Sequence, residues 1–234
     1  MMRNRNAWAL LSLILLSTAG LASIRTASAA DADQGPPIYC PDGLERLLPG
    51  DYYACRARYH LQRNNPQQAI SMLEHASYWA NKDAQHSLGL AYSQGDLQGT
   101  PIDKPLGLAW LALAAERKSR GFMLDYTRAR AKCSEDEIAR ANELYVQLLA
   151  KYGDHVAGKR AMRRFDREVE QIDVATNHGG SAYISGFAPM PQAALTLSRQ
   201  LHEQADDYFQ GLHGTVMVGE LTPTAGLPAG DEHN

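Results

Sequence analysis

The chain has 234 residues, with 23 lysines and arginines against 26 acids and a net charge of −3. That balance leaves no basic surplus to hold a phosphate backbone, so nucleic acid is not an expected partner. Apolar residues make up 44% of the chain, enough to bury a core in a protein of this length.

Residues 1–30, MMRNRNAWALLSLILLSTAGLASIRTASAA, place Arg3 and Arg5 before an apolar run that starts at Ala7 and thins out by Ala22. Small residues follow, and cleavage after Ala29 or Ala30 fits the order of a secretory signal peptide. The alternative is an uncleaved anchor, but the run is short for a span. No cysteine follows it directly, which argues against a lipid anchor. The expected location is periplasmic, reached through a cleaved signal peptide. Removal of 1–30 takes Arg3, Arg5 and Arg25 and no acid, so the net charge of −3 becomes −6.

Residues 31–50 read as an N-terminal connector. Export permits disulfides, and Cys40, Cys55 and Cys133 allow one internal bridge at a time. Cys40–Cys55 is the favoured pair, because it would tie the connector to the first long helix. Cys133 is then left over, either as a buried thiol at a helix end or as a site of pairing with another chain.

Residues 51–152 read as helical throughout. Asp51 caps a helix to about Gln62, and the sequence Asn64-Asn65-Pro66 breaks it, with Pro66 in the first turn of the next helix. There Ala69, Ile70, Leu73, Ala76 and Ala80 form the apolar stripe. The next helix, AQHSLGLAYSQ (84–94), carries Gly89 in its middle at a cost of about 1 kcal/mol relative to alanine. Asp103 caps a helix with Leu106, Ala109, Trp110, Leu113 and Ala114 on one face. Ser119 opens another, Ser134 and Glu137 form a capping box, and Gly153 ends the last.

Six helices in short antiparallel pairs suggest a repeat. Leu88 overlays Leu124 at a shift of 36 residues, and the first two units are offset by about 33. Stacked helix pairs must bring their axes close, so Gly89 is expected to be a point of close approach and its cost to be offset by packing. The positions Ala84, Leu88, Gly89, Tyr92, Gly95, Asp103, Ala109, Trp110, Ala114 and Ala115 resemble the Sel-one-like repeat, a relative of the tetratricopeptide repeat. The flanking units, 51–83 and 119–152, match it weakly. The resemblance covers about 100 residues. It implies an all-α α-solenoid that binds another protein on its concave face, and it implies no reaction. One branch of that family is exported, cysteine-rich and β-lactamase-like. The chain has no cysteine pair within a repeat, so that activity is not carried over.

Residues 153–221 are expected to hold further helices and a short strand. Lys159, Arg160, Arg163, Arg164 and Arg167 fall on one face of an amphipathic helix, with Met162, Phe165, Val169 and Ile172 opposite. The helix either caps the last repeat or docks acidic protein, anionic lipid or cell-wall polymer through its basic face. A helix is expected from about Pro191 to Gln210, and HGTVMVGEL (213–221) has strand character, with AYIS (182–185) the only internal partner in view. Residues 222–234 are expected to be a disordered tail.

No serine elbow, Cys-x-x-Cys or phosphate-binding glycine loop occurs. The stretch HEQAD (202–206) starts like a zinc-hydrolase helix, but Asp206 stands where the second histidine belongs. The expected function is therefore that of an exported scaffold or adaptor for a protein partner in the cell envelope. Neither catalysis nor a cofactor or metal is expected, and a cell-wall hydrolase or β-lactamase-like enzyme is the remotest alternative.

Overall fold

The computed structural model describes residues 35–95, 97 and 99–212. The expected signal peptide, the strand 213–221 and the tail 222–234 lie outside the described residues. The elements in chain order are α1 (Leu44–Leu47), α2 (Pro49–Gln62), α3 (Pro66–Tyr78), α4 (Lys82–Gln94) and α5 (Lys104–Ala114). A 3₁₀ turn (Ala115–Arg117), α6 (Arg120–Arg130) and α7 (Glu135–Tyr152) follow, then a wide turn (Asp154–Gly158) and α8 (Lys159–Asn177). The short strands β1 (Ser181–Ala182) and β2 (Gln192–Ala193) precede α9 (Ala194–Tyr208).

The helix boundaries follow local chemistry. Pro49 and Pro66 each sit in a first turn, where no amide hydrogen is needed. Asp103 accepts a hydrogen bond from the Leu106 amide, and Ser134 with Glu137 forms the reciprocal capping box. Gly95 ends α4 in the left-handed region at φ 72°. Asp51 is not a cap, because α2 begins two residues earlier at Pro49. Ala80 is not the end of an apolar stripe: α3 stops at Tyr78 and Ala80 turns the chain at φ 68°. The Asn81 amide bonds Ala76 O and the Ala80 amide bonds Ser77 O, a Schellman motif built without glycine.

Two cores organise the helices. In the first, Ala57, Leu73, Ala76, Leu88, Trp110 and Leu113 meet, joined by Tyr145, Leu149 and Tyr152 of α7. The second gathers Leu44, Leu47 and Leu48 with Phe165, Val169 and Ile172 of α8 and Leu197, Leu201 and Ala205 of α9. The stretch read as a connector thus contributes helix α1 to that core.

The architecture is an all-α bundle with irregular packing rather than a succession of equivalent pairs. The antiparallel pairs α2/α3 and α4/α5 are intimate, as expected, and α3 leads directly onto α4. In the third unit α7 lies along α5 instead of along α6. Lys104 pairs with Glu137 at one end, and Glu116 accepts from the Asp154 amide at the other, so α5 and α7 run parallel. Helix α6 buries no residue. Likewise α8 does not cap the last repeat: its apolar stripe faces α1 and α9. Ser181 and Ala182 pair antiparallel with Ala193 and Gln192, a register the sequence did not suggest.

Cys40 and Cys55 form a disulfide with Cα atoms 5.8 Å apart, and it fastens the segment before α1 to the middle of α2. Closing a loop of this length is worth about 3 kcal/mol. Thermal melts with and without reductant are expected to differ by that amount; superimposable melts would show that the bridge adds nothing.

Candidate functional site

The parallel run of α5 and α7 leaves α6 outside, and the three helices enclose a groove of about 540 Å³. Its floor is one side of α5, with Leu108, Ala109 and Ala112. One wall is Met123 and Tyr126 of α6, and the other is Ala141, Asn142 and Tyr145 of α7. Glu116 and Lys118 stand at the end where the 3₁₀ turn leaves α5. Met123 and its neighbour Leu124 are 42% and 47% exposed, large apolar side chains left at the surface of a helix with no buried residue. Burial pushes the Tyr145 phenol upward, and the Glu116 charge adds to the shift. The groove offers apolar contact with a few polar groups at its edges.

Beside the groove lies a buried polar junction that holds the two cores together. Lys82 is almost fully buried and reaches Glu116 at 2.5 Å, Asp154 at 3.2 Å and Leu113 O at 3.0 Å. Arg117 makes a bidentate pair with Asp154 at 2.9 and 3.0 Å. It also donates to Tyr208 O at 2.6 Å and to Ala80 O at 3.2 Å. The Tyr208 hydroxyl in turn donates to Trp79 O. Every charge in the cluster has a partner, so its role is to fix geometry.

Asp51 extends this junction, accepting from Asn81 at 3.1 Å and from Gln204 at 3.2 Å. Asn81 simultaneously caps α4 by accepting from the Ala84 amide. Burial pushes the Asp51 carboxyl from 3.8 up to about 6, and Asp83 adds to the rise. The two hydrogen bonds and Arg58 oppose it. Because the folded value lies above the unfolded one, the folded protein holds the proton more tightly. Stability is therefore lost as pH rises from about 4 through about 6, on the order of 3 kcal/mol in all. Asp51→Asn keeps both hydrogen bonds once the Gln204 amide turns over, since Asn81 still donates to the new carbonyl. We expect it to raise the melting temperature at pH 7.5 and leave it unchanged at pH 4; equal shifts at both pH values would show the carboxylate carries no burial cost.

The residues singled out in the sequence fall in two places. Ala84, Leu88, Gly89, Ala109, Trp110, Ala114 and Ala115 are buried along the α4/α5 pair, and Tyr92 is half-buried beside them. Tyr92 O accepts from the Asp103 amide at 2.8 Å, closing the loop that Gly95 begins. A side chain at Gly89 would place Cβ 2.6 Å from Leu111 Cγ, and one at Gly107 would place it 2.5 Å from the Ser93 amide nitrogen. Gly107 is the partner of Gly89 that the sequence reading missed. Its signal was there: a second glycine inside the facing helix.

The five cations of α8 do not share one role. Arg160 lies over the Tyr78 ring, 3.6 Å from its centroid, and donates to Tyr78 O. Arg164 donates to Arg46 O at 2.9 Å and lies 3.5 Å from Glu168. Arg167 lies 3.4 Å from Glu168. Lys159 and Arg163 have no ion pair among the described residues. Asp166, Glu170 and Asp173 share the outer surface of α8 with Arg163 and Arg167. His202 lies 3.0 Å from Asp173, not paired with Asp206, and no cluster among the described residues has the composition of a metal site. Cys133 is a free thiol, half-buried rather than buried, and raised above its usual value by desolvation. Among the described residues no helix is long and apolar enough to cross a membrane.

These features define an all-α helical protein with a disulfide bond. No protein-family model, curated protein or solved structure matches the chain.

Proposed function

We propose that this chain is an exported adaptor, built on helix pairs resembling Sel-one-like repeats, that binds a protein partner in the periplasm. The groove between α5, α6 and α7 supports this reading: a cavity of about 540 Å³ floored by alanines and edged by exposed Met123. Apolar side chains held at the surface by a helix that buries nothing of its own are suited to be covered by another chain. In this reading the groove takes the place of the concave face of a regular solenoid.

The test is co-purification of the tagged protein from its own envelope after light crosslinking, alongside a Met123→Glu, Leu124→Glu variant. One partner at near-stoichiometric yield, lost in the variant, is the expected result. A partner retained by the variant would move the interface elsewhere. Recovery of anionic lipid alone, lost at high salt and on reversing Arg163 and Arg167, would transfer the function to α8.

A further inference from the structure

We infer that the cavity bounded by the end of α4, the start of α5 and the end of α6 binds a small organic polyanion, a molecule carrying at least two carboxylate or phosphate groups. This cavity uses other residues of α5 and α6 than the groove does, and it stands independently of the adaptor reading.

The cavity measures about 310 Å³, and cations from two helices and a turn surround it. Lys104 is the first residue of α5, Arg128 lies in the last turn of α6, and Lys132 follows in the turn beyond. All three are exposed, whereas Ser93, Ala129 and Cys133 between them are half-buried. The charged heads therefore stand at the rim of a concave surface with less polar matter beneath. Such a surface concentrates the field of its charges.

The acids nearby do not cancel this charge. Among the described residues one carboxylate, that of Asp125, lines the cavity, and it is already engaged. Its Oδ2 lies 3.0 Å from His86 Nε2 of α4, and Oδ1 lies 3.6 Å from Arg128. The His86 ring is itself held against Phe122, with centroids 4.8 Å apart. Lys104 comes within 3.6 Å of Glu137, too far for a direct hydrogen bond. Lys132 has no ion pair among the described residues. A cationic hollow thus persists in a chain whose net charge is −3.

Size and charge together select the ligand. A cavity of this volume has room for about ten water molecules, or for a compact organic molecule of similar bulk. A single anionic group reaches one or two of the cations, while several groups on one molecule reach all three through charge-assisted hydrogen bonds. Binding would also do structural work. Helix α6 buries no residue, and a ligand shared by Lys104 with Arg128 and Lys132 fastens it to α5.

Cys133 supplies the readout, since its thiol lines the cavity and is free while Cys40 and Cys55 are bridged. Its alkylation by uncharged iodoacetamide is timed by mass spectrometry in the full chain. Citrate, fructose 1,6-bisphosphate and sodium acetate are compared at matched pH and ionic strength. The expected result is a rate lowered about fivefold or more by one or both polyanions and not by acetate. Protection by citrate alone supports the inference and names a carboxylate ligand; protection by the bisphosphate alone supports it and names a phosphate. Arg128→Gln, Lys132→Gln changes two exposed positions, and an unaltered melting temperature establishes its fold. Calorimetry on Cys133→Ser, which takes the thiol out of the measurement, should give one polyanion per chain, with affinity falling at least about tenfold when the two cations are also replaced. Equal slowing by acetate, protection retained in the double substitution, or no calorimetric binding of either polyanion would each overturn the inference.

Discussion

Gly89→Leu is expected to destabilise the protein by about 4 kcal/mol, although leucine is the better helix former by nearly 1 kcal/mol. The reason is geometric. At position 89 a Cβ alone would approach the Leu111 backbone nitrogen to 2.9 Å and its Cγ to 2.6 Å, and Leu111 is completely buried. Across the same contact, Gly107 faces the Ser93 amide and Gly89 O, so neither helix can retreat by exchanging a rotamer. The pair of glycines sets the spacing of α4 and α5, and every larger residue in the first core packs to that spacing. Gly107→Ala should reproduce much of the loss with a single methyl group. Chemical denaturation of the two variants checks this, and stabilities within about 0.5 kcal/mol of the parent would show that the helices separate freely.

Arg117→Ala should cost about 4 kcal/mol by a different route. The guanidinium satisfies Ala80 O, Tyr208 O and both oxygens of Asp154 at once. Its removal leaves Asp154 with Lys82 and its neighbours only, and strands two carbonyls where the cores meet. Arg117→Lys should recover little, because an ammonium group cannot span the bidentate pair and both carbonyls. Denaturation of both variants at two salt concentrations measures this. A loss below about 1 kcal/mol, or one that disappears at high salt, would place Arg117 among ordinary surface pairs.

Much of the first core was legible because it is written locally. Caps at Asp103 and Ser134, the break at Pro66 and the glycine stop at Gly95 act on neighbours within four residues, and chain order alone displays them. The Cys40–Cys55 bridge was legible for the same reason, since its ends are 15 residues apart. What stayed hidden is long-range. Ala80 takes a left-handed turn that glycine would have announced, and its carbonyl is held by Arg117, 37 residues away. The basic face of α8 looked uniform because helical spacing cannot reveal that Tyr78 claims Arg160 or that Arg46 O claims Arg164. The groove was hidden too. Ala109 read as one member of an apolar face, and only the placement of α7 against α5 shows that a groove lies between α5, α6 and α7.

The second core joins the beginning of the described chain to its end. Leu44, Leu47 and Leu48 leave the ribosome early, yet the apolar surfaces that cover them belong to helices α8 and α9, and the Arg46–Glu168 contact spans 122 residues. The first core waits less, because α2 to α5 find one another within a few dozen residues and only α7 is added later. Biogenesis therefore has two clocks. One half of the molecule can assemble as it emerges, and the other holds a greasy N-terminal turn in suspense until the last helix has been delivered. A chain that stops before α9 leaves the apolar side chains of that turn without the surface that covers them.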